Sequence, residues 1–206
     1  MGERFTEGRY VIVPALSLDC VEEISYLCSM VTEWIVTEID GKIASISADY
    51  RHFAEIAAIV AQQPPLGIDT ISTHKVSTDD LVAMRDTVTW DDFRLFGTKF
   101  QLGVWKQLFE LEPRLYSYTD LAALCNNPLG VRSVAHAVAI NPVAYLIPCH
   151  LIIPKESMDK AREIRATAES TLFKGSDLYL LDSIDVGEYA HGPEVKRELI
   201  KRHLKR

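Results

Sequence analysis

The chain has no Cys-x-x-Cys pair. Its four cysteines are Cys20, Cys28, Cys125 and Cys149, a spacing that argues against a zinc ribbon and a thioredoxin-type redox site. Such thiols are expected to be reduced rather than bridged. No apolar run approaches the roughly 18–20 residues needed to span a bilayer, so no membrane partner is expected. The opening Met1-Gly2-Glu3-Arg4 lacks the basic-then-apolar pattern of a secretory leader. A cytoplasmic protein is the expectation. There is no glycine-rich phosphate loop and no dinucleotide fingerprint. Cys20, Cys28, His52 and His74 have no recognised ligand spacing. Neither a cofactor nor a metal is expected.

What remains is an ordinary globular composition. The 206 residues are 48% hydrophobic and 25% charged, which excludes a disordered, collagen-like or disulfide-scaffold protein. The net charge of −7 argues against nucleic acid as a partner of the whole chain. The average hides an asymmetry, because residues 1–97 carry 16 acidic and 7 basic side chains while the rest is slightly basic. A DNA partner is therefore compatible with the back half only.

The chain divides near Gly97, into residues 1–96 and 97–206. In the front part Tyr10–Pro14 reads as a short strand. Trp34–Ile39 and Lys42–Ala48 read as a hairpin, with Asp40-Gly41 supplying the two positive-φ positions of a type I′ turn. Phe53, Ile56, Ala57 and Val60 recur at helical spacing over 50–63, and Pro64-Pro65 ends that helix. Residues 66–96 read as irregular, with a short helix over Thr78–Arg85. The back part is mostly helical. Phe100, Val104, Leu108 and Phe109 lie near one helical face, and Ser117 can cap a helix through Leu124. Asn127-Pro128 reads as an N-cap with Pro at the first helical position. The helix it opens, 128–140, turns Val131, Val134 and Val138 to the core and leaves a small face of Gly130, Ser133, Ala135 and Ala137. Two short helices joined tightly, the second with a bare face, form a helix-turn-helix pattern. Val143–Ile147 reads as a strand that delivers Pro148-Cys149-His150. The C-terminal segment from Pro193, with six basic and two acidic side chains, reads as a solvated helix packing Val195, Leu199 and Leu204.

A cysteine acts as a nucleophile only as thiolate, and a neighbouring base lowers its pKa from about 8.5. His150 is adjacent to Cys149, and a turn after proline can bring the two side chains together. A third group must then hold the imidazole. Asp182, Asp185 and Glu188 are the candidates downstream.

These residues stand in a recognisable order. Gly97-Thr98-x-Phe100-Gln101-x-x-Val104-Trp105 is followed by Ser117-Tyr118-x-x-Leu121-Ala122 and Asn127-Pro128-x-x-x-Arg132-x-Val134. Asn141-Pro142 and Ile147-Pro148-Cys149-His150 complete the series. From Gly97 to Ile153 the chain resembles the C-terminal domain of O6-alkylguanine-DNA alkyltransferases, the methylated-DNA–protein-cysteine methyltransferases. The hairpin and helix over 34–63 are similar to that family's small N-terminal domain. The resemblance implies an α+β fold, with a small N-terminal hairpin/helix domain followed by a mainly helical, winged-helix-like alkyltransferase domain. It implies a DNA repair protein that takes an alkyl group from O6 of guanine onto its own cysteine, once. Its implied partner is double-stranded DNA containing O6-alkylguanine, met by a monomer in the cytoplasm, at the nucleoid in a bacterium.

Carried over, Cys149 is the acceptor and His150 the base that activates it through water. Asn141 is the hinge between recognition helix and active-site segment. Arg132 enters the base stack, and Tyr118 helps rotate the target phosphate. Gly130, Ser133 and Ala135 let the helix approach a minor groove, a mode suited to a lesion searcher. The guanine O6 is reached by rotating the nucleotide out of the stack, at a cost of a few kcal/mol.

The departures cluster on the pocket. Leu151 stands where the family has Arg, and Leu129 where a basic residue is common. The family's glycine-rich loop with an aromatic has its nearest counterpart in Phe173-Lys174-Gly175, after an insertion. The family's glutamate, near the end of a Leu-Leu helix, falls closest to Asp185 if Leu180-Leu181 is that pair. Such a pocket is either rebuilt for transfer or kept for lesion binding alone. The presence of Cys149 favours transfer.

Overall fold

A computed structural model describes residues 33–49, 55, 56, 58, 68, 70–169 and 177–205. The expected strand at Tyr10–Pro14, most of the helix over 50–63, and Phe173-Lys174-Gly175 lie outside them.

The front part holds a three-stranded antiparallel sheet. β1 is Glu33–Ile39, β2 is Lys42–Ser47 and β3 is Ile71–Ser77, in the order β2-β1-β3. Asp40 and Gly41 have φ of 49° and 73°, the type I′ geometry their sequence favours. β3 was not visible as a strand, because Ile71–Ser77 is polar and largely exposed on an edge. It ends where Ser77 caps α1 (Thr78–Thr87): Ser77 accepts from the Asp80 amide and Asp80 bonds back.

α2 (Lys99–Phe109) follows a second capping box, Thr98 with Gln101. Its buried face is Val104, Trp105 and Leu108. Phe100, expected on that face, is 39% exposed, and Trp105 replaces it by donating its indole N–H to the Ala137 carbonyl at 2.8 Å. β4 (Tyr116–Ser117) leads into α3 (Tyr118–Leu124), where Ser117 and Asp120 form a third capping box.

The turn after α3 corrects the expected start of the recognition helix. Asn126 takes the left-handed conformation with φ of 54°. The Asn127 amide reaches back to Ala122 and the Asn126 amide to Ala123, a Schellman closure. Asn127 and Pro128 belong to this turn, so α4 spans Val131–Ala139 with Gly130 at its N-cap. Val134, Ala137 and Val138 are buried, so Ala137 leaves the expected bare face for the core.

Val143–Ile147 is not a strand. Tyr145 has φ of 65°, and local bonds from Leu146 to Ala144 and from Ile147 to Val143 fold the segment on itself. It is tied to the sheet on both sides of Ile46: the Ile46 amide donates to Pro142, and the Ala144 amide donates to Ile46. Cys149–Leu151 is one 3₁₀ turn, and β5 (Ile152–Ile153) pairs in parallel with β4.

The main core runs across Gly97. Trp34, Val36, Ile43 and Ile46 of the sheet join Val104, Leu108, Leu121, Val134 and Val143–Ile147. A second cluster joins Ile153, α5 (Lys155–Glu169), the 3₁₀ turn Asp177–Asp182 and Ile200 of α6 (Pro193–Leu204). α5 and the 3₁₀ turn therefore build a small core of their own, and α6 packs against Cys149–Leu151. Among the described residues, no helix is long and apolar enough to cross a membrane.

Replacing Trp105 with Phe keeps most of the buried ring and orphans the Ala137 carbonyl. The expected loss is about 1–3 kcal/mol, read as a lowered urea midpoint at unchanged m-value.

Candidate active site

Cys149 lies on the floor of a cavity of about 370 Å³, lined also by Tyr118, Val138, Asn141, Tyr189, His191 and Lys196. The residue is 8% exposed. Burial pushes its pKa up, while hydrogen bonding to Asn141, the charge of Lys196 and hydrogen bonding to Tyr189 pull it back.

Asn141 ends α4 and ties down the segment beyond it. Its amide N–H donates to Val143 at 3.2 Å and to Ile147 at 2.9 Å, and its carbonyl accepts from the Val143 amide at 3.1 Å. One side chain thus closes the loop that delivers the thiol and lines the cavity beside it. Tyr118, at the start of α3, is half-buried, and its hydroxyl pKa is raised by burial, by Cys149 and by Glu188.

The wall opposite comes from a loop that no sequence motif marked. Gly187 and Gly192, with φ of 75° and 91°, bracket Glu188, Tyr189, Ala190 and His191. Gly187 is required twice, because a Cβ there would also stand 3.0 Å from the Pro154 ring. Tyr189 meets Cys149, and burial followed by the cysteine raises its hydroxyl pKa well above 10. His191 sets its ring edge-on to Trp34 at 5.3 Å, linking the pocket wall to β1. This loop sets Tyr189 between two glycines, while Phe173-Lys174-Gly175 lies outside the described residues.

α6 carries the remaining groups. Lys196, Leu199, Ile200 and His203 keep the i, i+3, i+4, i+7 spacing and are all buried. Lys196 is 1% exposed, and its Nζ donates to the Ile152 carbonyl at 2.8 Å. Burial lowers its pKa to about 8, against the attraction of Cys149 and Asp185. It remains largely protonated at neutral pH and places a positive charge behind the thiol. The expected solvated helix is thus half core. The signal was legible, because a Lys and a His fall in register with Leu199 and Ile200.

His150 is fully buried and stacks on Tyr145 with ring centres 5.4 Å apart. Its Nε2 lies 3.3 Å from Nδ1 of His203, and its Nδ1 has no hydrogen-bond partner among the described residues. Burial, then His203, Lys196 and Arg85, hold its pKa well below the usual 6.5. His203 is brought down to about 4 by burial and by Arg85. Asp185 does not meet His150. It is exposed and accepts from the Gly187 amide at 2.8 Å, as a cap on the loop. Leu180-Leu181 sits in the insert's core, so counting onward from it leads to a turn and not to the imidazole.

On the outer side, Arg132 and Ser133 of α4 are exposed, while Gly130 and Ala135 are partly buried. Leu129, just before the helix, is 99% exposed. Leu151 is fully buried and packs inward, where an arginine would have needed a partner. Cys20, Cys28 and His52 lie outside the described residues, and His74 is exposed on β3.

The fold and the site define a helix-turn-helix domain that buries a cysteine beneath the end of its second helix. Residues 99–171 match the family model described as 6-O-methylguanine DNA methyltransferase, DNA binding domain. A probable methylated-DNA–protein-cysteine methyltransferase of Acanthamoeba polyphaga mimivirus is 45% identical over 69 residues, covering 32% of this chain and 45% of that protein. The corresponding protein of Haemophilus influenzae is 44% identical over 61 residues, covering 29% and 34%. The chain thus matches less than half the length of these curated relatives. The solved O6-methylguanine methyltransferase of Mycobacterium tuberculosis shares the fold, with a TM-score of 0.53 at 18% identity over 86% of this chain and 90% of that one. Over residues 99–171 the chain is similar to the DNA-binding domain of O6-methylguanine-DNA methyltransferases, and its fold is similar to theirs.

His203 binds its proton less readily folded than unfolded, so the unfolded state gains protons first on acidification. Its contribution is complete above about pH 6.5 and is lost as pH falls toward and through about 4, amounting to about 3 kcal/mol. Denaturation curves across this window should show the loss, and a His203→Gln variant should show less of it.

Proposed function

We propose that this protein repairs alkylated DNA by moving an alkyl group from O6 of guanine to Cys149, in a single-turnover reaction. The observation that carries the reading is the thiol's position. It lies at the floor of a cleft partly lined by Val138, Ala139 and Asn141, from the end of the helix that exposes Arg132 and Ser133. A nucleotide rotated out of a duplex held on that helix would enter the cleft beside the sulfur.

In this reading α4 lies in the minor groove, with Gly130, Ser133 and Ala135 toward the backbone and Arg132 as the wedge that fills the vacated stack. Tyr118 turns the target phosphate. The pocket is roomy enough for a small ligand, and Tyr118 and Tyr189 give it aromatic walls. Lys196 favours thiolate over thiol, and His150 receives the proton. Asn141 is a positioning residue for the loop and a hydrogen-bond partner of the sulfur. The protein acts as a monomer on double-stranded DNA and needs no cofactor.

Intact-protein mass spectrometry after incubation with an O6-methylguanine duplex should show one added methyl group on the wild type and none on Cys149→Ala. Lesion binding without mass gain would move the protein to a non-catalytic recognition role. Arg132→Ala should slow transfer at least about tenfold, through loss of the wedge, while free O6-alkylated base reacts at an unchanged rate.

A further inference from the structure

We infer that His203 is the positioning residue of the proton relay, so that two neutral imidazoles stand where such a relay ordinarily pairs an imidazole with a carboxylate. The inference rests on the alkyl-transfer reading of Cys149. The geometry that carries it is a buried His–His contact. His150 Nε2 and His203 Nδ1 are 3.3 Å apart, the rings meet edge-on at 5.1 Å, and both side chains are at most 3% exposed. Tyr145 closes the remaining side, stacked on His150 and tilted against His203.

The bond between the rings has two possible directions, and burial chooses between them. If His203 donated, His150 would carry its proton on Nδ1, as a buried N–H with no acceptor. If His150 donates from Nε2, its Nδ1 is a bare lone pair. Unpaired buried donors are the rarer and costlier case. The second direction also leaves Nδ1 able to take a proton from Cys149, its neighbour in the 3₁₀ turn. His203 therefore sets the tautomer that makes His150 a base.

The step balances with the groups present. The Cys149 S–H bond breaks, and its proton passes through one water to His150 Nδ1. The sulfur electron pair forms the S–C bond while the C–O6 bond breaks, with its electrons left on the guanine oxygen. The dealkylated guanine, still in its strand, takes up one proton from water, and the imidazolium returns its own to water.

A neutral partner changes the acid–base behaviour. A carboxylate would stabilise the imidazolium, whereas His203 cannot do so by charge. The surrounding charges also oppose a proton on the pair. Lys196 approaches from α6 on the Cys149 side and Arg85 from α1. Arg202, beside His203, is itself neutralised by Glu198 and Asp79. Cys149 and Tyr145 are the other titratable groups against the pair. Among the described residues no carboxylate bonds either ring. The base stays uncharged well into the acid range, so transfer should persist there.

The test uses the full chain labelled with ¹⁵N-histidine and two readouts. In NMR, His150 should show a protonated Nε2 and bare Nδ1, with an N–N coupling across the hydrogen bond to His203. In single-turnover transfer, His203→Ala should slow Cys149 alkylation at least about tenfold, and His203→Gln, whose carbonyl can accept from Nε2, should restore most of that loss. His203→Glu should move the acid limb of the pH–rate profile upward by more than about one unit, since a carboxylate raises the basicity of His150. An Nδ1-protonated His150, or a His203→Ala protein with wild-type rate and acid limb, would overturn the inference. If the wild type transfers nothing from O6-methylguanine DNA, the alkyl-transfer reading fails, and the tautomer and coupling still decide the His–His relay.

Discussion

The structure depends on one constraint: a run of eleven residues, 143–153, is buried while holding no α-helix and no more regular structure than one 3₁₀ turn and the two-residue β5. Its peptide groups still need partners. They find them in Ile46 of β2, in the side chain of Asn141 and in β4. Each partner comes from a different part of the chain, so the segment can be placed only when all three are present. The thiol, the buried imidazole and the lysine contact at Ile152 all hang from that run. The position of Cys149 is thus a property of the assembled core, and the small sheet is part of the site's foundation.

A second small core lies beside the site. α5 and the 3₁₀ turn bury Met158, Ala161, Leu180 and Leu181 against Ile153 and Ile200. Beyond it the loop with its two left-handed glycines lines the cleft, and α6 descends behind the cysteine. Because Leu180-Leu181 belongs to that second core, counting onward from the pair does not lead to the imidazole.

The electrostatics of the floor come from burial. Lys196 is tolerated because a backbone carbonyl accepts from it and a thiol stands close by. His150 and His203 are tolerated as neutral rings because each supplies what the other needs. The single lysine charge offsets part of the burial that raises the Cys149 pKa, while two uncharged imidazoles avoid further buried cations, which would be costly to desolvate.

Much was legible in the residues themselves. Asp-Gly between β-rich runs specified the hairpin, and Ser117 with Asp120 specified a helix start, because turn and cap chemistry act over a few residues. The series from Gly97 to His150 marked the domain, since spacing within short helices survives divergence. Other features were decided only by tertiary contact. The polar edge strand β3 forms because β1 offers it partners, not because its own pattern demands a strand. The apolar run at Val143–Ile147 satisfies the pattern of a strand, yet the core around it is filled and it coils instead. The group beside His150 was beyond local reading, because the sequence offered Asp182, Asp185 and Glu188 and the packing of α6 delivers His203 instead. Sequence by itself determined the hairpin and the capped helices and set Cys149 beside His150, through interactions a few residues long. Tertiary structure decided what surrounds Cys149 and His150, because those contacts are made across 40 or more positions by burial that no local pattern records.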